Sequence, residues 1–162
     1  MIYVALLFFM LLICDLGFSY YNKYKIKKLS INIKEALETT GFPLIEVEHN
    51  GLQCYFLIDT GADLSHINSD FNDQLNLTIL ENTKSTSVGV EGTSREVNWA
   101  KFDFRFKKYP MELEVQNAPL PGFKVFYDYN LPVIGILGND FVQKYGCVIS
   151  YKDLIIYPSV KK

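Results

Sequence analysis

Phe56-Leu57-Ile58-Asp59-Thr60-Gly61-Ala62-Asp63 carries a carboxylate off the end of an apolar run and straight into a glycine turn. A charged group delivered from a buried strand loses hydration, so it needs either a satisfied structural role or a chemical one. Upstream, Leu52, Cys54, Phe56 and Ile58 form the apolar face of the strand that ends at Asp59. His49-Asn50-Gly51 precedes them, and Asn-Gly tolerates the positive φ angles of a tight hairpin turn. Before that turn Ile45 and Val47 alternate with Glu46 and Glu48, the period of a half-buried strand. A hairpin therefore leads into Asp59.

Downstream, Ile67, Phe71 and Leu75 stand at i, i+4 and i+8, which predicts a short helix opened near Ser69 and Asp70. Val88-Gly89-Val90-Glu91-Gly92 is a glycine-bearing link between two extended segments. Phe102, Phe104 and Phe106 then alternate with Asp103 and Arg105, and after a turn at 107–110 Met111, Leu113 and Val115 alternate with Glu112 and Glu114. Residues 118–132 hold three prolines and read as a long ordered loop. An apolar, glycine-broken strand follows through Ile136-Leu137-Gly138, with a short helix from Asn139 to Tyr145. Cys147 to Ile149 and Leu154 to Tyr157 close the chain as a hairpin around Tyr151-Lys152-Asp153. No internal repeat is evident, and the sum is an all-β, barrel-like domain with short helices.

The first 21 residues are different in kind. Ile2 to Ile13 is unbroken by charge, and extension through Leu16, Phe18, Tyr20 and Tyr21 reaches the roughly 20 residues that a bilayer requires. Lys23, Lys25, Lys27 and Lys28 follow at once. The reading is a hydrophobic helix at 1–21 acting as a single-pass membrane anchor, a juxtamembrane stalk at 22–41, and a domain at 42–162 on the cytoplasmic side. Export stays open as an alternative, through the weak cleavage pattern Gly17-Phe18-Ser19 or lipid attachment at Cys14. The remaining length suits one domain, not two. A net charge of −2 leaves no footprint for nucleic acid, so the expected partner is a peptide or protein.

Three cysteines are too few and too widely spaced for a disulfide framework or a zinc site, and Cys54 and Cys147 read as small core residues. His49 and His66 have no companions at metal-ligand spacing and read as surface or turn residues. No metal and no cofactor is expected.

Three pieces together resemble the retropepsin-like aspartic proteases: Leu57-Ile58-Asp59-Thr60-Gly61-Ala62-Asp63, the glycine-bearing link from Gly89 to Gly92, and Ile136-Leu137-Gly138 running into Asn139, Asp140 and Phe141. Asp-Thr-Gly alone is common; the combination, spread over about 42–157, is far more specific. The resemblance implies a retropepsin-like acid-protease barrel and a catalytic role for Asp59 with Thr60 and Gly61. It implies substrate contacts from Ala62, Asp63, Val88, Gly89, Val90 and Gly92, the last four as a flap. Ile136, Leu137 and Gly138 become the loop packed behind the site. Since each chain supplies one such Asp, the resemblance also implies a homodimer with the site on its two-fold axis. Thr60 would bond across that axis, and Asp63 would contact substrate backbone or join an ion pair. Asn139 departs from the viral pattern, which has Arg after this glycine, so the salt bridges of those enzymes are not carried over. The competing function is a module of the same shape that binds peptides or scaffolds a partner without cutting.

Overall fold

A computed structural model describes residues 2–88 and 94–159, with the side chains of residues 2–9, 22, 25, 27, 81 and 82 left out of the description. The chain divides into two compact units, Met1–Ser30 and Ile31–Lys162.

The first unit holds one helix, α1 (Ile2–Leu29). Met10, Leu11, Leu12, Ile13, Leu16 and Phe18 are exposed along it. Among the described residues no helix is long and apolar enough to cross a membrane. The structure thus gives no support to the single-pass anchor expected at 1–21.

In the second unit the elements run β1 (Ile31–Asn32), α2 (Lys34–Thr40), β2 (Leu44–His49), β3 (Leu52–Ile58), β4 (His66–Asn68), α3 (Asn72–Leu75) and β5 (Thr78–Val88). They continue with β6 (Ser94–Phe106), β7 (Tyr109–Ala118), β8 (Val133–Leu137), α4 (Asn139–Tyr145), β9 (Cys147–Ser150) and β10 (Ile155–Pro158). The fold is mostly β with short helices. Residues 31–40, read from the sequence as stalk, contribute a strand and a helix to this unit: Ile31 and Asn32 pair with Ile156 and Ile155.

Seven strands form one sheet in the order β2-β3-β8-β4-β7-β6-β5, and Glu48 of β2 also pairs with Arg105 of β6, which curls the sheet back on itself. A smaller sheet, β1-β10-β9, stands apart in the pairing order. Alternation explains the strands. Along β6 the residues Val97, Ala100, Phe102, Phe104 and Phe106 are buried, and on β7 Met111, Leu113 and Val115 match them. All of these except Val97 join Phe56, Ile67 and Phe141 in the main core. The β2–β3 turn places Asn50 at φ 49° and Gly51 at φ 81°, the left-handed pair that Asn-Gly permits.

Two local readings change. Ile67 is a strand residue, paired with Asn117 on one side and Gly135 on the other, so the expected helix begins only after it, as a 3-10 turn at Ser69–Phe71 that runs into α3. Its cap is Asn68, whose side chain accepts the Asp70 N–H at 3.3 Å. The 118–132 segment coils into a 3-10 helix at Pro121–Tyr129, whose Phe123 and Phe126 join Leu44, Leu120 and Val133 in a second apolar cluster. Tyr127 and Tyr129 stay exposed.

Candidate active site

β3 and β8 lie side by side and parallel, with Ile58 opposite Leu137, so the chain leaves both strands at the same end of the sheet. Asp59 is the first residue beyond β3, and its N–H still donates to Leu137 O at 3.1 Å. The turn then folds over the side chain: Gly61 N–H donates to Asp59 Oδ1 at 2.8 Å, and Ala62 N–H donates to Asp59 O at 3.1 Å. A methyl group on Gly61 would stand 3.1 Å from that same Oδ1, a close approach that glycine avoids. Asp59 is half-buried, while Thr60, Gly61 and Asp63 are exposed.

The start of α4 fastens this turn from behind. Asn139 donates its side-chain N–H to Thr60 O at 2.9 Å and its backbone N–H to Ala62 O at 2.8 Å, and Asp140 N–H donates to Asp63 O at 3.1 Å. Below, Ser65 donates its hydroxyl to Asp140 Oδ1 at 2.6 Å and accepts Gly138 N–H at 3.0 Å. A side chain at Gly138 would meet Ala62 O and Leu64 C and O at 2.8 Å. Leu137 and Gly138 are thus packed directly behind the Asp59 turn, with Ile136 half-buried at the cavity wall.

That cavity has a volume of about 530 Å3 and is lined by Asp59, Gly61, Ala62, Asp63 and Leu64 on one side. His66, Thr86, Ser87, Val88, Arg95, Gln116, Leu120 and Ile136 line the rest. A second groove of about 580 Å3 is lined by Glu48, Asp103, Arg105 and Lys144 among others, but it lacks a turn that presents a carboxylate with its own backbone donor. The smaller cavity is therefore the candidate site.

Of the residues expected at the site, Asp59, Gly61, Ala62, Asp63, Val88 and Ile136 line one cavity. Gly89, Val90 and Gly92 lie outside the described residues. His49 is not a surface residue: it is buried, stacked on Phe102 with ring centroids 4.5 Å apart, and its ring reaches the carbonyls of Leu75 at 2.8 Å and of Asp103. His66 is half-buried in the cavity wall, where burial lowers its pKa. The Arg95 cation adds to that effect, and the Leu64 carbonyl, Gln116 and Asp140 oppose it. Sequence reasoning passed over Ser65, Arg95 and Gln116, because a single polar residue in a loop or on a strand carries no spacing signal of its own.

A family-wide sequence model described as "Aspartyl protease" matches residues 45–141, more than half of the chain. The retrovirus-related Pol polyprotein from transposon 412 of Drosophila melanogaster is 28% identical over 101 residues, which is 61% of this chain. The chain spans only 7% of the length of that curated relative. Among solved structures, the EIAV protease complexed with the inhibitor HBY-793 aligns at a TM-score of 0.49 and 23% identity, covering 65% of this chain and 88% of that one. The protein belongs to the aspartyl protease family.

Proposed function

We propose that the protein is an aspartic endopeptidase that hydrolyses peptide bonds with a water held between two Asp59 carboxylates, one from each chain of a homodimer. The observation that supports this best is the Asp59 turn: one carboxylate oxygen is fixed by the Gly61 N–H at 2.8 Å while the group faces a cavity of about 530 Å3. Such a turn orients a carboxylate without neutralising it. A lone carboxylate cannot be base and acid in the same step, and the chain carries Asp-Thr-Gly once. Two copies about 3 Å apart would share one proton, because both cannot ionise at that separation.

In this reading the ionised Asp59 takes a proton from the water as its oxygen attacks the peptide carbonyl carbon. The protonated Asp59 of the other chain gives its proton to the developing oxyanion. Collapse of the tetrahedral diol breaks the C–N bond as one carboxyl group passes its proton to the leaving nitrogen and the other carboxylate takes a proton from a diol hydroxyl, which restores the shared-proton pair. Thr60, exposed beside Asp59, would bond across the pair, and Ala62 and Asp63 would hold the backbone of an extended peptide.

The test is Asp59→Asn in the full chain, assayed with a peptide library. An amide can neither accept the proton of the water nor share one, so cleavage should fall about a thousandfold or more with an unchanged circular dichroism spectrum. Wild-type activity should be blocked by hydroxyl-bearing mimics of the tetrahedral state. An Asn variant that cuts the same peptides at the wild-type rate removes Asp59 from the chemistry.

A further inference from the structure

The cavity beside Asp59 has a polar inner wall that peptide hydrolysis does not use. It is built from three strands: His66 of β4, Ser87 of β5 and Gln116 of β7, with exposed Arg95 of β6 lining the same space. Gln116 is only 3% exposed, and its side-chain oxygen Oε1 has no hydrogen-bond partner among the described residues. A buried acceptor left in that state is unfavourable, so a guest that brings it a donor gains a hydrogen bond the fold itself leaves unmade.

The neighbouring ring does not supply it. His66 Nδ1 lies 3.0 Å from the Leu64 carbonyl, which can only accept, so the proton of the neutral ring belongs on Nδ1. Nε2 then offers a lone pair, with Ser87 Oγ at 3.4 Å. Burial holds the ring toward its neutral form. Gln116 lies close enough to the ring to oppose the lowering of its pKa, yet its Oε1 forms no hydrogen bond with it in the structure.

Each class of guest can be weighed against this wall. An apolar side chain would leave Oε1 unpaired, and a carboxylate would oppose an acceptor with an acceptor. A lysine or arginine side chain would meet the Arg95 cation, which among the described residues donates only to Pro119 O, at 2.9 Å. A side-chain carboxamide brings N–H for Gln116 Oε1 together with an oxygen that suits Arg95 and the Ser87 hydroxyl. We propose that His66, Ser87, Arg95 and Gln116 form a specificity subsite that selects peptides with Asn or Gln next to the scissile bond. This rests on the endopeptidase reading above and specifies its substrate.

The experiment uses the full chain and matched peptides that carry Asn, Gln, Asp, Glu, Leu, Met or Lys at each position flanking the cut. At one position kcat/KM should favour Asn or Gln at least about tenfold over the isosteric Asp, Glu, Leu and Met, since a site built around a hydrogen bond rejects guests that lack it. Gln116→Met should reverse the ratio toward Leu and Met. If that variant does not fold, the wild-type ratios alone decide. Binding of the same peptides to Asp59→Asn, read by fluorescence anisotropy, separates the two levels of inference. Selective binding of Asn and Gln peptides with no wild-type cleavage would overturn the endopeptidase reading and support the subsite. Cleavage that prefers Leu or Met at every flanking position, or ratios unchanged in Gln116→Met, would overturn the subsite.

Discussion

His66 shows how position alone can set the behaviour of a side chain. Burial lowers its pKa below the ordinary 6.5, with Arg95 adding to the effect, so the folded state favours the neutral ring. The stability this contributes is fully present above about pH 6.5 and is lost as pH falls from there toward the lowered folded value. The slope cannot exceed about 1.4 kcal/mol per pH unit for one proton. Urea midpoints between pH 7.5 and 5.5 should fall for the wild type and fall less for His66→Gln. The thiols offer a second test. Cys54 and Cys147 are each pushed up to about 12, mainly by burial, with Glu46 adding to the effect at Cys54, while Cys14 is exposed. Iodoacetamide at pH 8 should therefore modify one thiol quickly and the other two only after unfolding, because the thiolate is the reactive form. Three fast thiols in the native protein would contradict these placements. The core role of Cys54 was legible from its place in an alternating strand. The burial of His49 was not: it depends on Phe102, which stacks on it from 53 residues away along the chain.

Elements meet most closely where β8 turns into α4 behind the Asp59 turn. Gly135 of β8 faces the His66 carbonyl so closely that a methyl group there would overlap it, and Gly138 meets the backbone of Ala62 and Leu64. Those neighbours are backbone atoms of paired strands and a braced turn, which cannot step aside cheaply. Gly138→Ala should therefore cost about 1–3 kcal/mol in urea denaturation and lower peptide cleavage as well, since the displaced turn carries Asp59. Ser65→Ala should cost a similar amount, about 1–3 kcal/mol, by leaving the buried Gly138 N–H without its acceptor. The loss measured for an exposed hydroxyl such as Ser159→Ala should be much smaller; equal losses would argue against this brace. The strands at this scale were readable, as the Phe102, Phe104 and Phe106 alternation became β6. The Ile67, Phe71 and Leu75 spacing misled because a strand residue, a 3-10 residue and a helical residue all happen to point into one core. Periodicity reports burial, and three successive elements can bury residues at helical intervals.

At the scale of the molecule, one carboxylate per chain makes the proposed enzyme a matter of assembly. Specific activity should drop on dilution through the dissociation constant of the dimer, and sedimentation at the same concentrations should show the matching loss of dimer. Full specific activity from a monomer at every dilution would contradict the shared site. The sequence by itself determined the strand-to-turn delivery of Asp59, the mostly β character, and membership of the aspartyl protease family, since each is written in neighbouring residues whose alternation or turn chemistry is local. The tertiary structure decided what surrounds that carboxylate. Ser65 meets Asp140 across 75 positions, Ile31 and Asn32 join a strand near the far end of the chain, and His66 and Gln116 come together as partners in parallel strands. Such contacts follow from strand order and register, and hydrogen-bond partners brought together by a closed sheet leave no periodic trace along the chain.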